Sequence, residues 1–230
     1  MSELLLRWLH FMAGITWIGL LYYFNFVQGP FFAEADANTK SVATQKLVPR
    51  ALWWFRWSAL VTFLSGAMII GKRIGEAPAG TAPWSSPWAV AILTGALFGT
   101  LMLANVWGVI WRNQKIVIAS AVAAATGGQA NPAAAPAGRR AFLASRTNVV
   151  FSIPMLFFMG AATHMPPNPI NHLTGYWVGV LIVAALVEIN ALTATSGPTT
   201  KPIEKIPGVI TTGFVVWAVV FALVKFYLTA

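Results

Sequence analysis

The residues with the widest chemical reach in this 230-residue chain are three histidines, His10, His164 and His172. A neutral imidazole ligates haem iron, zinc, copper or non-haem iron through one ring nitrogen. His10 lies inside an apolar stretch, where an ionisable side chain is costly and marks a functional position. Small residues stand beside each one: Gly14 one turn from His10, Gly160 one turn from His164, and Gly175 and Gly179 at i+3 and i+7 from His172. Such gaps leave room for a flat ring, as in a helical bundle that clamps haem between two imidazoles. The expected constellation is a b-type haem with His10 as one axial ligand and His164 or His172 as the other. Gly14 makes room for the ring, and Trp17 packs on it. The plainer alternative is that His164 and His172 sit in a polar interface, that the glycines serve helix packing, and that Trp17 is core.

The absence of cysteine removes disulfides, thiolate metal sites, a cysteine nucleophile and covalent haem c attachment. There is no P-loop, no dinucleotide Gly-x-Gly-x-x-Gly, no His-Glu-x-x-His and no Gly-x-Ser-x-Gly. Glu188 and Arg56 are charges within apolar stretches, and an ion pair between them is the expected lock, the alternative being a proton path or a substrate-facing acid.

The elements that must carry these residues are membrane spans. Hydrophobic residues make up 57% of the chain and charged residues 9%, too few to cover a water-soluble surface. Mean hydropathy is +0.69. Runs of about 20 apolar residues predict about six transmembrane helices: 4–27, 51–70, 88–111, 148–165, 173–195 and 206–228. The expected fold is therefore an all-α integral membrane bundle forming one domain over residues 1–230, with an Ala/Gly/Pro-rich loop at about 112–147. The first span exceeds the ~7–15 residue core of a signal peptide and lacks a clear cleavage site, so it reads as retained.

Charge sets the orientation. The formal net charge is +9, from 15 Lys and Arg against 6 Asp and Glu. In a soluble chain that excess would suggest nucleic acid; here it marks loops, and no nucleic-acid partner is expected. One side carries Lys40, Lys46, Arg50, Arg112, Lys115, Arg139, Arg140, Arg146, Lys201 and Lys205, the other only Arg7, Lys72, Arg73 and Lys225. The positive-inside rule makes the first side cytoplasmic. Both termini then face the periplasm of a bacterial inner membrane, and all three histidines fall toward that same side.

Several stretches resemble a known family. Leu6-Arg7-Trp8-Leu9-His10-Phe11-Met12-Ala13-Gly14-Ile15-Thr16-Trp17-Ile18-Gly19 resembles the first span of the membrane-bound, cytochrome-c-linked urate hydroxylases. Asn113-Gln114-Lys115 is similar to that family, as is Ser145-Arg146-Thr147-Asn148 continuing through Ser152-Ile153-Pro154-Met155-Leu156-Phe157-Phe158-Met159 to His164. The resemblance implies oxidation of urate to 5-hydroxyisourate, with electrons passing to a cytochrome c. Urate is an anion, and the cationic or amide side chains available to line a site for it are Arg56, Asn105, Asn148 and Arg146. Long members carry a C-terminal cytochrome c domain; this chain has no cysteine for one, so a separate periplasmic cytochrome c is the expected partner. The competing expectation is a non-enzymatic accessory or assembly subunit of a respiratory or photosynthetic membrane complex. Gly95–Gly99 and Gly175–Gly179 would then offer docking faces.

Overall fold

The computed structural model describes residues 2–79, 81–164 and 172–228. The ends assigned above at Met165 and Ala230 lie outside them. The described residues are helical, with no strand. In chain order they form α1 (Ser2–Tyr22), α2 (Gly29–Glu34), α3 (Ala37–Lys46), α4 (Val48–Gly75), α5 (Pro87–Ala104), α6 (Trp111–Ala125), α7 (Ala134–Ala161), α8 (Leu173–Thr193), α9 (Lys201–Glu204) and α10 (Ile206–Leu228). Two π-helical segments, Tyr23–Gln28 and Asn105–Ile110, join α1 to α2 and α5 to α6 without breaking the rod. Among the described residues six helical stretches are long and apolar enough to cross a bilayer: Ser2–Glu34, Val48–Gly75, Pro87–Ala125, Ala134–Ala161, Leu173–Thr193 and Ile206–Leu228. A chain with six such helices is a multi-pass membrane protein, since water offers no partner for the apolar surface they expose. Leu4, Trp8, Phe11 and Ile15 of α1 and Leu181 and Leu186 of α8 are among the large exposed side chains that meet lipid.

Local chemistry starts the helices where they begin. Pro87 occupies the first turn of α5, where its missing N–H costs nothing, and Ser86 Oγ accepts from Ala89 N at 3.2 Å. Asp36 caps α3 by accepting from Asn38 N at 2.8 Å and Thr39 N at 3.0 Å. Its carboxyl is held below the usual carboxylate range, mainly by the Thr39 side chain.

α7 is the central helix. Its apolar stretch is 67% buried within the protein, against 17% for that of the first rod. It packs on α5, α6 and α10, while α1 pairs chiefly with α4. Gly95 of α5 lies where a Cβ would come within 3.2 Å of Met155 O, and Gly213 where one would meet Ile153 and Val150 O of α7. Thr94 Oγ1 and the fully buried Tyr176 hydroxyl, 2.7 Å apart, tie α5 to α8.

The stretch read as a loop at 112–147 is mostly helix. α6 runs out to Ala125 and α7 begins at Ala134, so only 126–133 turns the chain. Alanine has the highest helix propensity, so an Ala-rich run between two spans prolongs both of them. On the same end, Arg139 of α7 donates to Thr195 O at 2.9 Å and forms an ion pair with Glu204 of α9.

That pair makes a pH-dependent joint. The Arg139 guanidinium holds the Glu204 carboxyl below its ordinary value of 4.5. A lowered folded-state value means the joint is at full strength above pH 4.5 and is lost as pH falls through the folded value. Acidification below about 4.5 is therefore expected to raise amide exchange over 195–205 in wild type. Arg139→Gln should exchange fast there at neutral pH and respond little to acid; unchanged exchange in both proteins would refute the joint.

Candidate functional site

His10 is held by one helix. Its ring is half-buried between α1 and α4, with Nδ1 2.8 Å from Thr62 O and 3.3 Å from Ser65 Oγ. A backbone carbonyl only accepts, so the neutral ring carries its proton on Nδ1 and its lone pair on Nε2. An Nδ1–H bonded to a carbonyl is the arrangement that fixes tautomer and ring plane in imidazoles that bind metal through Nε2. α4 provides the seat by a stripe of small polar residues at helical spacing. Ser58, Thr62 and Ser65 are buried, and their hydroxyls bond back to carbonyls of α4. The next residue, Gly66, lets the ring lie against the helix. A Cβ there would stand 2.9 Å from His10 Cε1 and 3.2 Å from Nδ1.

The other residues assigned to this centre are distributed differently. Gly14 faces α4 beside Thr62, with its Cβ position 3.8 Å from Thr62 Cγ2, an ordinary packing contact. Trp17 is buried in the core, and its Nε1 has no hydrogen-bond partner. His164 follows α7 and is exposed; nothing lies within 4 Å of a Cβ placed at Gly160 beside it. His172 is also exposed and precedes α8 with φ 53°, the left-handed region. Its two glycine neighbours are filled: Gly175 by the Tyr227 ring and Gly179 by Leu223, both from α10. No flat ring fits against that face. Neither His164 nor His172 hydrogen-bonds His10, and among the described residues no group of three His, Asp or Glu could hold a metal ion.

The glycine pairs serve the chain's own packing. Gly95 receives Met159 and Met155, and Gly99 is 3.6 Å from Met155 Sδ. With Gly175 and Gly179 occupied by α10, neither Gly-x-x-x-Gly face is open to another protein.

A second polar constellation grips the middle of α7 on the side of the basic loops. Asn25, in the first π segment, donates to Ser145 Oγ at 2.8 Å and to Leu21 O at 2.8 Å. Tyr22 OH and Ser152 Oγ are 2.9 Å apart. Asn105, opening the second π segment, donates to Asn148 Oδ1 and to Glu188 Oε2, both at 3.0 Å. Asn148 Nδ2 in turn donates to Met102 O at 3.0 Å. Each π segment thus carries the asparagine that reaches α7. π turns recur at functional positions because they re-aim side chains within a helix. The sequence gives no sign of the π geometry, which local sequence does not encode strongly.

Arg56 and Glu188 do not form the expected pair. Arg56 lies over the Trp111 ring at 3.9 Å and near Trp107 at 5.9 Å, while Glu188 turns to Asn105. The aromatic face offers Arg56 a partner without burying a second charge. Arg146 is 5% exposed, and its Nε and Nη1 have no acceptor among the described residues.

A family model described as urate oxidase N-terminal matches residues 80–223. The matched stretch spans α5 through most of α10 and contains Asn105, Arg146, Asn148, His164, His172 and Glu188, while His10 precedes it. Neither a curated protein nor a solved structure gives a match. The family match covers more than half of the chain, over the helices that enclose the polar belt, and the chain belongs to the urate oxidase N-terminal family.

Proposed function

We propose that this protein is a bacterial inner-membrane redox protein of urate oxidation. In this reading it holds a b-type haem through His10 near the periplasmic face and exchanges electrons with a cytochrome c. The observation that carries the reading is the His10 seat: the Nδ1 bond to Thr62 O leaves Nε2 as the open, electron-rich nitrogen. That bond raises the ligand's basicity and fixes its plane, as the imidazole of a redox centre requires. When bound, haem would supply a one-electron carrier. His10 binds, and Thr62 and Ser65 orient it.

A second haem ligand would come from His164 in preference to His172, because the space beside Gly160 is open and the glycines beside His172 are filled. The basic residues at the α6–α7 and α8–α10 ends support a cytoplasmic assignment for that side, with both termini periplasmic. The assembly-subunit alternative loses its main support, because the glycine faces that would serve it are packed internally.

The test is a visible spectrum of the purified protein, followed by urate-dependent reduction of added cytochrome c. A Soret band that shifts on chemical reduction, together with urate turnover, is the expected result. A colourless protein would overturn the haem assignment, and a coloured one inert to urate with every cytochrome acceptor would overturn the substrate.

A further inference from the structure

The polar belt on α7 contains one unsatisfied buried charge. Of the four side chains suited to an anion, three are engaged: Arg56 with aromatic faces, Asn105 with Asn148 and Glu188, and Asn148 with Met102 O. Arg146 is the exception. It is 5% exposed, its Nε and Nη1 lack acceptors, and it takes part in none of the ion pairs among the described residues. Its guanidinium lies over the ring of Phe142 on the same helix, with Cζ 5.1 Å from the ring centre. A guanidinium does not shed its charge in a protein, and a buried charge without a counter-ion is strongly unfavourable. The helix that bears it is fixed on both flanks, at Ser145 by Asn25 and at Asn148 by Asn105. A pre-positioned, dehydrated cation with open donors is a receptor for an anion.

We propose that Arg146 anchors the anionic substrate, a planar oxo-purine anion of the urate class, on the basic-loop side of the bundle. The assignment rests on the urate reading above and adds the place where the anion is captured. Asn25 marks the level of Arg146 on the first rod, and it lies fifteen residues from His10, roughly 22 Å at helical rise. Arg146 is thus a recruiting residue at the far end from the proposed redox centre, and it does not touch the reacting atoms there.

The experiment measures urate affinity of the purified protein in uncharged detergent, with the neutral purine hypoxanthine as control. Wild type should bind urate and discriminate against hypoxanthine. Arg146→Met should lose about 10–100-fold in affinity, the worth of a charged hydrogen-bonded contact, with an unchanged visible spectrum. Arg146→Lys should fall between them, and His10→Ala should bind urate normally. Equal affinity in wild type and Arg146→Met overturns the proposal while leaving the function intact. So does stabilisation by anionic phospholipid but not by urate. If Arg146→Met does not fold, the Lys variant and the comparison of urate with hypoxanthine decide: equal binding of the two purines by wild type refutes the site. Urate-dependent cytochrome c reduction without binding sensitive to Arg146 refutes it alone; absence of both binding and turnover in wild type refutes the functional reading itself.

Discussion

His10→Ala should purify with its helix content intact and without a Soret band. The size of the effect follows from how the ring is held. It contributes little to the core, since it is half-buried and faces one helix, and its removal leaves Thr62 O with its own helical partner. The stability cost should therefore be modest, about 1 kcal/mol for one hydrogen bond within a membrane interface. The cofactor effect should be total, because no other described imidazole lies against Thr62 and Ser65. Gly66→Val is the companion variant. It retains the ligand but drives a side chain into the space of the ring, whose Cε1 stands 2.9 Å from the Cβ position. Rotation of the imidazole away from Thr62 O should broaden or shift the Soret band and alter the reduction potential while leaving some haem bound. An unaltered spectrum in both variants would remove His10 from the centre. An unaltered Gly66→Val spectrum with a lost His10→Ala band would instead show that ring orientation does not tune the site.

The membrane character of the fold was legible because it depends on summed apolar length, which any window of about 20 residues reports. Helix ends beyond the bilayer were less legible. Residues 112–147 lose hydropathy at the membrane surface, yet their alanines continue the helices in water, and hydropathy carries no information about that. His10 was recognisable as an intramembrane ionisable residue, but its seat was missed. The stripe Ser58, Thr62, Ser65 does recur on one face of α4, and a search for hydroxyls at helical spacing opposite His10 could have found it. The exchange of Arg56–Glu188 for Arg56–Trp111 and Glu188–Asn105 was beyond reach. Both pairings satisfy the same residue types, and only the relative rotation of α4, α5 and α8 chooses between them. Glycine patterns had the same ambiguity. Gly175 beside His172 looks like space for a cofactor until Tyr227, some fifty positions later in the chain, is seen to fill it.

Asn148→Leu should be the most damaging single substitution in the polar belt. Asn148 is fully buried, accepts from Asn105 Nδ2 and donates to Met102 O. Leucine removes both bonds at once and leaves one Asn105 side-chain N–H facing hydrocarbon, while Met102 O keeps the backbone N–H of Asn105. In water-soluble cores an unsatisfied buried group costs about 1–3 kcal/mol, whereas side-chain bonds between membrane helices average ~0.6 and reach ~1.7 kcal/mol. The second scale applies to the two bonds and the first to the one orphaned N–H, so a loss of about 2–4 kcal/mol is expected, read as a lower midpoint in denaturing detergent. Asn148→Asp separates the two contributions. It keeps the acceptor for Asn105 but turns an oxygen toward Met102 O and adds a carboxyl to the network that already holds Glu188. Its cost should be relieved at low pH, where a protonated carboxyl can donate to Met102 O as the amide did; the leucine variant should show no such rescue. The same two variants report on function. Asn105 opens a π segment and is held by Asn148 and Glu188 together, so releasing one partner frees the turn to relax to α-helix and shifts the register of α6 beyond it. Arg146, two residues before Asn148, would then lose its fixed position, and urate affinity should fall in Asn148→Leu although no contact to the anion has been removed. Full stability with full affinity in the leucine variant would show that the two asparagines are passengers in the packing of α7.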